Sequence, residues 1–290
     1  MKIIVVSNLY PPDFIGGHEI LCAKVVEELR RRGHEVIVLT GTENRKAFDY
    51  VHNCLFSYRD LLDIAARGKR PNWAKRLAAI WKNRNILKRY CQTFNPDIFF
   101  IWNISNFPLR AFAICQQLGI PAAVYLADYW LKNTKEGTGQ GSAAYRACMY
   151  PFRLLIPVFS FDSILRLFTI SHFVREEYIR AGFSPDRIQT VYLGLEKSIL
   201  TETEPPKTRE DGTVRVMWAG QLVRHKGAHV LIEALGKLFA ANLPARVSVD
   251  IYGAGDVEYR ACLEKAIREH KLEGVDRKST RLNSSHEWIS

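Results

Sequence analysis

Two glycine-marked turns hold the residues best suited to chemistry. The first reads Tyr10-Pro11-Pro12-Asp13-Phe14-Ile15-Gly16-Gly17-His18-Glu19 and follows a short β-branched run. Adjacent glycines at a helix start let another backbone or a ligand approach closely and present amide N–H groups. The helix dipole adds positive potential at the same place, which suits a phosphate or a polar hydroxyl. A plain tight turn has the same spacing. The position beyond the first strand of a parallel sheet favours the ligand reading, because ligands bind beyond strand C-termini in open α/β sheets. His18 lies beside the Gly16-Gly17 pair and is the histidine singled out as a candidate catalytic group, with capping or packing as its other use.

The second turn, Gly220-Gln221-Leu222-Val223-Arg224-His225-Lys226-Gly227, also follows a strand pattern and opens a helix pattern. Lys226, with the amides of Gly227 and Ala228, suits a diphosphate. The bland alternative is a solvated basic turn. Two such turns, one per domain, would clamp an anionic ligand from both sides of a cleft. A dinucleotide fingerprint is not present. Gly253-Ala254-Gly255 lacks its third glycine, Glu258 standing there, and the second strand ends Leu39-Thr40-Gly41 without an acid. That disfavours an NAD(P) oxidoreductase.

The elements that must position these turns alternate. Strand patterns fall at 2–7, 35–40, 97–102, 122–126, 166–170 and 189–192, and helix patterns at 18–32, 109–118 and 172–181. Strand, turn, helix, strand is a βαβ unit, hence a parallel sheet with helices on its faces. A polar stretch with two prolines, 201–212 (TETEPPKTREDG), reads as an interdomain linker. Strands at 214–219 and 246–252 and helices at 227–240 and 256–270 then begin a second αβ domain.

At 290 residues, 47% hydrophobic and 24% charged, the composition is globular. The net charge of +11 favours anionic partners. Six cysteines without CxxC or metal-ligand spacing read as reduced thiols in a reducing compartment. The four aliphatic residues after Lys2 are too few for a signal-peptide core, and no long apolar run is free of charge, so a cytoplasmic chain is expected. The stretch 67–89 carries nine Lys or Arg and no acid, with Trp73, Leu77, Ile80, Trp81 and Leu87 interleaved. It reads as a helix packing its apolar side on the sheet, and its basic face also suits an anionic membrane surface at the inner face. The apolar run 149–168 reads as core. Nucleic acid is disfavoured, since no recognition module is evident.

Taken together, YPPxxxGGxE at 10–19 and AGxLxxxKGxxxLIEAL from Ala219 resemble glycosyltransferase family 4. Asn95-Pro96-Asp97-Ile98 with Trp102-Asn103, and Ser171-His172-Phe173-Val174-Arg175 with Gly182-Phe183, extend the resemblance over residues 1–275. It implies a GT-B fold, α/β, with two Rossmann-like doubly wound parallel-sheet domains. These are expected at 1–200 and 213–275, the second incomplete. It also implies transfer of a sugar from a UDP- or GDP-sugar with retention, usually without a bound metal or other cofactor, to a glycan or lipid-linked acceptor. Gly16 and Gly17 would line the donor diphosphate and acceptor, and Lys226 would neutralise the leaving diphosphate.

Four departures stand against the pattern: Gln221 where Arg is usual, Ala127 where His often precedes Asp128, Leu193-Gly194-Leu195-Glu196 for Asn-Gly-Ile-Asp, and no Glu-rich donor-gripping motif before Val275. Asp128 is left as the polar candidate there. The string DRKSTRLNSSH at 276–286 matches the translation of a common sequencing-library adapter, so 276–290 is expected to be non-native. The chain is therefore expected to be an inactive fragment of an active enzyme. A non-catalytic GT-B-like protein binding a membrane surface or a partner is the alternative, supported by Ala127 and Gln221.

Overall fold

The computed structural model describes residues 1–14, 16–42, 45, 48–57, 73–137, 159–194, 214–241, 247–272 and 282–283. The linker reading at 201–212, the first half of the 149–168 run, residues 67–72 and nearly all of the tail lie outside them. The chain divides into unit 1, Met1–Leu195, and unit 2, Glu196–Ser290.

Unit 1 opens as the sequence dictates. The aliphatic run forms β1 (Lys2–Ser7) and the amphipathic stretch forms α1 (Gly17–Arg31), which leads into β2 (Glu35–Gly41). There follow β3 (Val51–Leu55), α2 (Trp73–Phe94), β4 (Ile98–Asn103), α3 (Ala113–Gln117) and β5 (Ala122–Leu126). The unit closes with α4 (Trp130–Gly137), β6 (Ile164–Thr169), α5 (His172–Arg180) and β7 (Ile188–Thr190). The seven strands form one sheet in the order β3-β2-β1-β4-β5-β6-β7, and every pairing is parallel.

Both faces of the sheet are buried. Ile4, Val6, Phe99, Ile101 and Val124 belong to one core, with Leu87 and Cys91 of α2. Ile3, Val5, Val36, Trp102 and Tyr125 belong to the other, with Cys22, Ala23 and Val26 of α1. Continuous apolar runs in β1 and β5 are what two-sided burial requires. The strand order reverses between β1 and β4, so chain segments leaving those two strands diverge and open a crevice.

Two elements escape the sequence pattern, and one differs from it. β3 is an outer strand in which only Val51 and Leu55 are buried, so it shows no alternation. Its end is held by Asn83 of α2, whose amide accepts from Phe56 N–H at 2.7 Å and donates to the Phe56 carbonyl at 2.9 Å. α4 begins where the Asp128 carboxylate accepts from Trp130 N–H. The helix expected over 109–118 is a 3-10 turn at Leu109–Phe112 followed by the short α3.

α2 buries Ala79, Ile80, Leu87 and Cys91, as the packing reading expects, yet Trp81 stands 57% exposed among Lys82, Lys88 and Arg89. Among the described residues no helix is long and apolar enough to cross a membrane.

Unit 2 holds β8 (Val214–Ala219), α6 (Ala228–Ala240), β9 (Val247–Tyr252) and α7 (Val257–Glu269). Asp256 caps α7 through the N–H groups of Glu258 and Tyr259. Val216, Trp218, Val249 and Ile251 pack with Ile232, Leu263 and Ile267 on one face of the sheet. Leu282–Asn283 of the tail, for which no element was expected, pairs with β9 as a two-residue strand, β10.

Candidate functional site

In unit 1 the chain leaves β1 through Asn8, whose amide donates to Asn103 Oδ1 and Ser105 Oγ at 2.9 Å and accepts from Asn106 N–H at 3.1 Å. This ties the ends of the two divergent strands together. The Pro-Pro loop is then anchored by Asp13, which accepts from the backbone N–H and Nε of Arg45 beyond β2. Burial presses the Asp13 carboxyl upward, but these bonds outweigh it and hold it below the usual carboxylate range.

Gly16 donates its N–H to Glu19 Oε2 at 3.1 Å, closing the first turn of α1 on itself with a buried carboxylate. A Cβ built on Gly16 or Gly17 meets nothing within 4 Å. Space is open over both glycines, and the chain's own packing does not demand them there.

His18 is held by a clasp from Trp102. Trp102 Nε1–H donates to the His18 carbonyl at 3.0 Å. The register slips at this point. Ile101 pairs with Val6 and Asn103 with Ser7, leaving Trp102 as the extra residue of a β-bulge. The His18 and Trp102 rings lie 5.4 Å apart, the Trp102 and Tyr125 rings stack at 4.4 Å, and His18 and Tyr125 are 6.3 Å apart.

Asp128 at the end of β5 is exposed. Its Oδ1 accepts from Trp130 N–H at 2.9 Å and its carbonyl accepts from Tyr178 Oη at 3.0 Å. Its charge favours the protonated form of the His18 ring, one of the smaller influences on that group. The Asp128 carboxylate is thus partly used as a helix cap, a role the sequence did not disclose.

Burial lowers the affinity of the His18 imidazole for a proton, against the opposing pull of Glu19, Asp128 and the Trp102 backbone. In the unfolded chain a histidine titrates near about 6.5. As pH falls, the unfolded state therefore takes up this proton first. The stability contributed by a neutral His18 is present above about pH 6.5 and is lost as pH drops through the lower folded value. The melting temperature of wild type should fall more steeply between pH 7 and about 5 than that of His18→Gln. Equal slopes in differential scanning calorimetry would exclude this role for His18.

In unit 2 the second turn is laced to the turn after β9. Gly220 N–H donates to Tyr252, Leu222 N–H to Ala254 and Asp256 N–H to Leu222 O, at 3.0, 2.9 and 3.1 Å. The approach is so close that a Cβ on Gly253 would lie 1.8 Å from the Gly220 oxygen, and one on Gly255 2.4 Å from the Leu222 oxygen. The lone Gly-x-Gly of the sequence is explained by this backbone crossing.

Arg224–Lys226 form a 3-10 turn, and Gly227 at φ +79° starts α6. One expectation is corrected here. The Gly227 N–H donates to the Arg224 carbonyl at 3.2 Å, so Gly227 supplies a left-handed backbone and not a free amide. Gln221, Arg224, His225 and Lys226 are exposed on this turn. Among the described residues no group of three or more His, Cys, Asp or Glu is placed to hold a metal ion.

Tyr125 was not singled out by the sequence, and Glu19 and Trp102, though they stand in the motifs quoted above, were given no role. Glu19 carried a signal, standing third after Gly16 at a helix start. The bulge at Trp102 carried none.

A doubly wound parallel sheet, followed by a second αβ unit with a basic strand-to-helix turn, is the architecture of the GT-B glycosyltransferases. Residues 15–198 match Glycosyltransferase Family 4, and the chain belongs to that family.

An uncharacterized 42.6 kDa protein in the cps region of Klebsiella pneumoniae is 22% identical over 245 residues, 78% of this chain and 63% of that protein. The chain thus spans less than two thirds of the length of that relative. Anabaena HepE in complex with UDP and glucose superposes with a TM-score of 0.55 at 15% identity, covering 97% of this chain and 68% of that one. The lipopolysaccharide outer core galactosyltransferase WaaB superposes with a TM-score of 0.58 at 14% identity, covering 98% and 69%.

Proposed function

We propose that the protein to which this chain belongs is a retaining hexosyltransferase. It moves a sugar from a UDP- or GDP-sugar to a glycan or lipid-linked acceptor in cell-surface polysaccharide, lipopolysaccharide or glycolipid synthesis. The reaction breaks the bond between the sugar's anomeric carbon and the diphosphate, and forms one to an acceptor hydroxyl. Negative charge builds on the departing diphosphate, and Lys226 at the start of α6 answers it with a full cation beside the helix dipole. Gln221 adds a hydrogen-bond donor without the charge of the arginine usual there. The open backbone at Gly16 and Gly17, with His18 and Asp128 beside it, serves substrate binding in unit 1.

The observation that carries this reading is the family match over unit 1 together with the Lys226-bearing turn of unit 2. UDP in complex with HepE and the galactosyltransferase activity in the name of WaaB support the donor and acceptor classes. Trp81 among Lys82, Lys88 and Arg89 supports a peripheral contact with an anionic membrane at its cytoplasmic face, through 67–89.

The test is calorimetric titration with UDP and GDP. One of them should bind, and Lys226→Ala should weaken it by about tenfold or more, the worth of a contact to a charged group. Equal binding by the variant, or none by either protein, would overturn the assignment.

A further inference from the structure

Resting on that transferase reading, we propose that His18 and Tyr125 together bind one hydroxyl of a sugar ligand at the C-terminal edge of the unit 1 sheet, and so help set which sugar it accepts. Two polar atoms lead to this. Tyr125 is only 4% exposed, and its Oη is buried with no hydrogen-bond partner. His18 Nε2 is likewise buried and without a partner. Burying even one such group unsatisfied is costly, and native structures rarely do it. Here two occur on rings 6.3 Å apart, beside a loop with open space over its glycines.

The chemistry of the pair is complementary. Nε2 is the buried nitrogen of the His18 ring that has no partner. A neutral ring with its proton on Nδ1 presents a bare lone pair at Nε2, an acceptor. A phenol Oη donates. One ligand O–H can donate to Nε2 and accept from Oη at the same time. An ether or a methyl group at that position can do neither.

The positions of both rings are fixed independently of any ligand. Tyr125 stacks on Trp102, and the Trp102 indole N–H holds the His18 carbonyl. Such prior fixing is what allows a single hydroxyl to be distinguished.

The test uses the isotope-labelled 290-residue chain and a panel of methyl glucosides, galactosides and mannosides with their single-position deoxy analogues. The imidazole 15N resonances of His18 are followed by NMR. At least one glycoside should move the Nε2 resonance saturably, and one of its deoxy analogues should bind about tenfold more weakly. Tyr125→Phe, which keeps the ring and its stacking, should lose that preference by weakening the parent glycoside and leaving the deoxy analogue unchanged. If Tyr125→Phe fails to fold, the wild-type deoxy series still decides the matter.

No response of His18 to any glycoside would overturn the proposal and assign the two atoms to a buried water. Undiminished preference in Tyr125→Phe would overturn it too. Nucleotide binding at Lys226 with His18 silent would sink this inference and leave the transferase reading standing. Glycoside binding at His18 with no nucleotide bound would do the opposite.

Discussion

Gly253→Ala is expected to destabilise unit 2 by about 3 kcal/mol or more, which is most of what so small a core can supply. The new methyl carbon would have to occupy a point 1.8 Å from the Gly220 carbonyl oxygen. That oxygen belongs to backbone and cannot swing aside as the tip of a flexible side chain would. Relief requires parting the two turns, which breaks the bonds from Gly220 N–H to Tyr252 and from Leu222 N–H to Ala254. Gly253 also sits at φ +156°, where L side chains are strained.

The turn that bears Gln221 and Lys226 is part of this lacing, so nucleotide affinity should fall together with stability. Hydrogen exchange in β8 and β9 reads the effect directly. Gly16→Ala is the control. A methyl there meets nothing within 4 Å, and its effect on stability should stay within about 0.5 kcal/mol. If Gly253→Ala protected β8 and β9 as wild type does, the backbone crossing would be wrong.

Trp102→Ala is expected to cost unit 1 about 4 kcal/mol. Trp102 is among the largest fully buried side chains, stacked on Tyr125 at 4.4 Å and edge-on to Phe100 at 5.5 Å. Truncating a buried tryptophan costs roughly 3–5 kcal/mol through lost transfer energy and the cavity left behind. The His18 carbonyl loses its donor as well, worth about 1 kcal/mol. Trp102→Phe restores much of the packing but not the N–H, and should cost about 1–2 kcal/mol. Urea denaturation separates the two variants. A loss below about 1 kcal/mol in Trp102→Ala would mean that the bulge and its clasp do not hold the start of α1.

These two positions show where sequence reasoning succeeds and where it stops. The succession β1, α1, β2 was legible because apolar period, glycine stop and strand length agree over one continuous stretch. The same agreement located β8, α6, β9 and α7. β3 was not legible, since an outer strand with two buried ends leaves neither an alternating nor a continuous apolar pattern. α4 was hidden because its start depends on an Asp128 side chain that reads equally well as a catalytic acid.

At the site, spacing singled out the glycines, His18 and Lys226, and the family resemblance added Asp128. Both missed what fixes them: a register slip at Trp102 that pattern does not encode, and a partner for His18 that lies 84 residues away. The Gly227 amide was expected to face a ligand. A 3-10 turn turns it back onto Arg224, and only backbone geometry reveals that.

β8 has a practical consequence of its own. Among the described strands it forms one of the two edges of its sheet, with Val214 exposed and Met217 72% exposed. An apolar border strand with unpaired backbone groups is a template for a stranger's strand. Purified at high concentration, the chain should cloud by β8-to-β8 adhesion long before heat unfolds unit 1. A lysine in place of Met217 should keep the solution clear.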